Sequence, residues 1–127
     1  MLNSIKIKKE LETGIHTVTI KSYKDFEPRI KADGTLSKSN LMLKLENEHG
    51  TITANIYYDE NNTDMLNNAL LNIIEQTNHE TENPEELLNY CINNKIKLFI
   101  TITENAVETP QGVTLFKNVS FKKPIEI

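Results

Sequence analysis

The chain has no tryptophan, one cysteine, four glycines and four prolines among 127 residues, and aromatic residues make up only 6%. Each shortage excludes something. A single cysteine, Cys91, cannot close an internal disulfide, which fits a reducing compartment. The histidines, His16, His49 and His79, are scattered with no metal-ligand spacing. No apolar run approaches the roughly 20 residues of a membrane span. The opening stretch, Met1 to Lys9, interrupts its apolar residues with charge instead of building the apolar centre of a secretory signal. No membrane contact and a cytoplasmic location are therefore expected. There is no glycine-rich phosphate loop. Asp59-Glu60-Asn61-Asn62-Thr63-Asp64 lacks the glycine and the closing glutamate of a calcium loop and reads as a helix-capping turn. No acid/base, nucleophilic or metal constellation can be assembled, so the expectation is a protein that is not an enzyme and needs no cofactor.

What is present is a sequence of periodic segments. Ile15 to Tyr23, Leu41 to Glu46 and Thr51 to Tyr58 alternate apolar and polar residues, the pattern of half-buried strands. Asp64 to Gln76 carries apolar residues at helical spacing, with Thr63 as the expected N-cap. Asn83-Pro84-Glu85-Glu86 is a second helix start: a cap, a proline in the first turn, then acids at the positive end of the helix dipole. Lys95 to Thr103 and Val113 to Phe121 alternate again, joined by an expected loop from Glu104 to Gly112. Residues 1–12 are expected to form a flexible arm or a leading strand, and residues 63–93 a helical insert. The order β-β-β-α-α-β-β is that of a five-stranded OB-fold barrel, mainly β, in a single domain spanning residues 1–127.

OB barrels are mostly binding modules, so surface residues carry the functional argument. Alternation turns Lys44, Tyr57, Lys97 and Phe99 outward, where aromatics beside lysines would stack bases and neutralise phosphates. The same alternation places Tyr23 outward. The segment from Lys24 to Asn40, expected as a long loop or an open hairpin, carries Lys24, Arg29, Lys31 and Lys38 with Tyr23 and Phe26 interleaved, a composition suited to a nucleic-acid backbone. The formal net charge of −4 argues against a general polyanion binder and leaves local basic density as the deciding quantity.

The stretches Gly14-Ile15-His16-Thr17-Val18-Thr19-Ile20, Leu41-Met42-Leu43-Lys44-Leu45, Asn83-Pro84-Glu85-Glu86-Leu87-Leu88, Lys95-Ile96-Lys97-Leu98-Phe99-Ile100-Thr101-Ile102 and Phe116-Lys117-Asn118-Val119-Ser120-Phe121-Lys122-Lys123-Pro124 follow one another with a characteristic spacing. In this, residues 14–124 resemble the small single-stranded-DNA-binding proteins encoded by phages and conjugative plasmids of Gram-positive bacteria. The resemblance implies an OB fold that coats single-stranded DNA in replication, recombination or transfer, assembled as a homodimer or along the strand, with replication or transfer proteins as partners. The chain departs from many such proteins in lacking an acidic C-terminal tail, so tail-mediated recruitment is not expected. The rival expectation is a protein-interaction OB module that binds no nucleic acid, such as an accessory subunit or an inhibitor of a host factor, which the net acidity and the few aromatics favour.

Overall fold

The structure, a computed structural model, describes residues 9–125. Strands β1 (Lys9–Glu10), β2 (Gly14–Phe26), β3 (Ser39–Asn47) and β4 (Gly50–Tyr58) come first. Helices α1 (Asp64–Thr77) and α2 (Pro84–Asn93) follow, and β5 (Leu98–Thr109) and β6 (Gly112–Ser120) close the chain. The six strands form one curled sheet in the order β1-β4-β3-β2-β5-β6. The expected five strands are thus corrected to six, because Lys9–Glu10 pairs in parallel with Gly50–Thr51 at the edge. Among the described residues β4 and β6 are not paired, so the sheet stops short of a closed barrel.

The core sits on the concave face. Val18 and Ile20 of β2, Leu41, Leu43 and Leu45 of β3, Ile52, Ala54 and Ile56 of β4, and Leu98, Ile100 and Ile102 of β5 are buried there. The helices cover them with Leu70 and Ile73 from α1 and Leu87, Leu88 and Cys91 from α2. They complete the core rather than standing apart as an insert. Gln76 secures this lid to the sheet. Its side-chain amide accepts from the Phe99 N–H at 2.7 Å and donates to the Phe99 and Phe121 carbonyls at 2.9 and 2.6 Å. Those are backbone groups that β6, which begins its pairing with β5 only at Thr101, leaves unmet. Among the described residues no helix is long and apolar enough to cross a membrane.

Several local expectations change for identifiable reasons. Thr63 does not cap α1 with its hydroxyl; the Asn62 side chain accepts from the Asp64 N–H instead, at 3.2 Å. Asn83 does cap α2, accepting from the Glu86 N–H at 3.2 Å. The fourth expected strand begins at Leu98 rather than Lys95, because α2 ends through Lys95 in a left-handed conformation (φ 47°) and the Ile96 N–H returns to the Cys91 carbonyl. The expected loop over residues 104–112 is strand down to Thr109, closed by a two-residue turn at Pro110–Gln111. Gly50 serves packing rather than turn geometry: a Cβ there would collide with the Lys9 carbonyl oxygen, so its absence lets β1 lie against β4. Residues 1–8 of the expected arm or leading strand lie outside the described residues.

Candidate nucleic-acid interface

β2 is shared between two partners: Gly14–Val18 pair with β5, and Thr19–Phe26 pair with β3. A bulge between Ile20 and Ser22 inserts Lys21 and reverses the facing of everything after it. Tyr23, expected outside, therefore lies opposite core residue Leu43, and its hydroxyl donates to Asn89 of α2. Asp25 also turns inward and accepts a 2.6 Å hydrogen bond from Tyr58, whose pKa is raised chiefly by that bond. In exchange, Ser22, Lys24 and Phe26 move to the convex face.

Three cross-strand rows result: Ser22–Lys44–Thr53, Lys24–Met42–Asn55 and Phe26–Asn40–Tyr57. Lys24 Nζ lies 4.8 Å from the centre of the Phe26 ring, and the Arg29 guanidinium carbon 5.8 Å from it, both within cation–π range. Tyr57 is half exposed on the last row. Asn40 donates to Asn55 at 3.2 Å, while its own Oδ1 is buried with no hydrogen-bond partner among the described residues.

Of the two forms expected for the segment beyond Phe26, a long loop or an open hairpin, the structure shows a hairpin tip. The Ser37 N–H donates to the Arg29 carbonyl at 2.7 Å, and the Arg29 N–H donates to Ser37 Oγ at 2.8 Å. Ile30 bridges Leu36, and the Lys31 N–H donates to the Thr35 carbonyl. Gly34 takes a left-handed conformation (φ 85°) that closes the turn. Asp33 accepts from the Thr35 N–H and hydroxyl, which lowers its pKa and keeps it ionised inside the turn. The tip folds over the sheet and encloses a cleft of about 540 Å³ lined by Phe26, Glu27, Arg29, Ile30, Lys31, Ser37, Lys38, Asn40, Met42 and Tyr57.

The fold thus brings together Phe26, Arg29, Lys31, Lys38 and Tyr57 around one cleft, with Lys24 and Lys44 continuing the same face. It does not bring Phe99 or Lys97 to them. Phe99 faces outward, but opposite Thr17, nine residues along β2 from Phe26, or roughly 30 Å at strand rise. Its own small cleft is lined by Ile15, Lys123, Pro124 and Ile125. Lys97 is exposed on the connector before β5. Asn40 and Ile30 line the cleft and were not singled out in the sequence. Extending the alternation of β3 back to Ser39 would have exposed Asn40; Ile30 has no periodic signal at all.

A larger cleft, about 840 Å³, lies on the other face of β2, where Tyr23, Asp25 and Tyr58 meet α1 and α2 and where Glu82 and Glu85 supply negative charge. Among the described residues no group of three or more His, Cys, Asp or Glu is placed to hold a metal ion. Burial pushes the Cys91 thiol up to about 11. No protein-family model matches this chain, and no curated protein matches it in sequence.

Proposed function

We propose that this protein is a non-catalytic OB-type module that binds single-stranded DNA with little sequence preference, in replication, recombination or transfer within the cytoplasm. β2 to β6 follow one another across the sheet as OB strands 3-2-1-4-5 would, with the last closure left open between β4 and β6. The observation that carries the reading is the convex cleft. It combines an aromatic ring flanked by two cations, a second exposed aromatic, and Lys31 and Lys38 on an ordered hairpin tip. A base stacked on Tyr57 or on the Arg29 guanidinium leaves its phosphates within the field of the tip lysines.

Titration of a fluorescent oligo-dT of about 30 nucleotides, a length spanning one to several OB sites, tests this. Saturable binding that weakens with salt is expected. Absence of binding at low salt overturns the proposal. The acidic cleft between β2 and the helices favours a second reading, a protein-interaction module. In that case the oligonucleotide does not bind, and a basic partner protein occupies the cleft beside Asp25, Glu82 and Glu85.

A further inference from the structure

Beyond the pair Ile102–Val119, β5 and β6 leave the core and continue as a two-stranded ribbon. β2 pairs with β5 only as far as Ile102, so among the described residues the ribbon has no third strand from Thr103 onward. Its pairs run without a register break to Thr109–Gly112. A lone two-stranded ribbon is marginal in water and needs a further strand or a packed face to stand. Yet Val107, Val113, Leu115 and Phe116 are 46%, 65%, 60% and 51% exposed. Val113 and Leu115 lie on one face of the ribbon and Val107 and Phe116 on the other, so each face carries an exposed apolar pair.

Among the described residues the outer edge of β6 is unpaired, and it carries none of the devices that keep sheet edges apart. From Gly112 to Ser120 it has no proline and no bulge. Its single charge, Lys117, is held within the molecule: Nζ donates to the Leu11 carbonyl at 2.9 Å and pairs with Glu10 at 2.8 Å. What remains of the ribbon's charge is Glu104 and Glu108, so the ribbon has nothing to attract a phosphate backbone. Those same acids disfavour one symmetric pairing of β5. Antiparallel self-pairing of β5 about Ala106 sets Glu104 of one copy opposite Glu108 of the other, a like-charge cross-strand pair. Self-pairing of β6 about Leu115 sets Val113 opposite Lys117 and Thr114 opposite Phe116, with no like charges opposed.

We propose that β6 is a dimerisation edge, pairing antiparallel with β6 of a second copy of this chain. A two-fold axis perpendicular to the ribbon makes the contact self-complementary, and each face stays continuous across it. Leu115 and Val113 of both copies then share one face, and both Phe116 rings share the other. The two ribbons become a four-stranded sheet. One strand edge and its apolar side chains lie at or below the roughly 800 Å² per partner of a standard interface, so the dimer dissociates on dilution. This inference does not depend on the nucleic-acid reading, because the convex cleft and the ribbon share no residue.

Sedimentation velocity of the full chain from low to high micromolar concentration tests it. The expected result is a monomer–dimer equilibrium that Leu115→Lys shifts to monomer at least tenfold, with the melting temperature little changed because Leu115 is 60% exposed and outside the buried core. A monomer at every concentration, or a dimer that Leu115→Lys leaves intact, overturns the proposal. Should Leu115→Lys fold poorly, Leu115→Cys decides. Cys91 is buried, so the new thiol is the one exposed to a short bis-maleimide. Efficient cross-linking of Leu115→Cys but not of Glu108→Cys on β5 supports the β6 edge, and the opposite order overturns it.

Discussion

Two hairpins leave this sheet, and both expose apolar side chains. The tip between β2 and β3 carries Ile30 and Leu36; the ribbon of β5 and β6 carries Val107, Val113, Leu115 and Phe116. What accompanies those side chains differs. At the tip they stand among Arg29, Lys31 and Lys38, over a cleft with two aromatic rings, and the turn is held by its own hydrogen bonds. On the ribbon the one lysine is internally paired and the free charges are acidic. Exposed hydrophobicity alone therefore assigns neither region. The local charge and the state of the backbone edges separate a surface suited to an anionic strand from one suited to another sheet.

Both hairpins hang from one core, so the largest change comes from breaking it. Leu43 is fully buried under Tyr23 and Ala54, and Leu43→Ala is expected to cost about 2–5 kcal/mol. Urea unfolding should show this loss, with both hairpin functions weakening together at a given temperature. Replacing Arg29, Lys31 and Lys38 together with glutamine separates the regions. Oligo-dT affinity at low salt should fall on the order of tenfold or more, and the salt slope should shrink by about 2, at about 0.7 per lost phosphate contact. Self-association through the ribbon should be unaffected, which sedimentation of the same variant checks.

Phe26→Ala and Tyr57→Ala should each weaken binding by roughly 1–3 kcal/mol, the value of one stacked base, without altering the melting temperature much. High pH acts on the shared core instead. With the Cys91 thiol held up at about 11 by burial, the unfolded chain loses its proton from about 9.0 upward while the folded chain keeps it. The stabilisation is complete below the ordinary thiol value and is lost as pH rises through about 11. A falling urea midpoint between those values in the native protein, and a flatter one in Cys91→Ala, should show it. The smallest effect is assigned to Phe99→Ala, which should leave oligo-dT binding within experimental error. A loss as large as that of Tyr57→Ala would mean that the bound strand runs the length of β2.

Much of the scaffold was legible because half-burial writes a period. The alternation of Leu41, Leu43 and Leu45 and of Ile52, Ala54 and Ile56 marks two strands with one wet face. The spacing of Leu70, Ile73 and Ile74 marks a helix lying on them, and Asn83-Pro84 marks the start of the next. The candidate cleft was partly legible: its cations and Phe26 were named from composition, and Tyr57 from parity. Tyr23 went to the wrong face because a single inserted residue, Lys21, reverses parity and leaves no mark in the pattern. Residues 104–109 read as loop because a ribbon wet on both faces has no alternation to display.

By itself, then, the sequence determined most of the local elements, their order and the inward faces of the strands without a bulge, since these follow from periods set by backbone geometry and burial. Only the tertiary structure decided which outward residues meet. Register across β2, β3 and β4 gathers Phe26, Asn40 and Tyr57 into one row, while Phe99 sits on β5, opposite the far end of β2. The seam between β4 and β6 and the outer edge of β6, both unpaired among the described residues, likewise depend on which strands find partners. Pairing is a long-range choice, made by the fit of whole surfaces, and no local pattern encodes it.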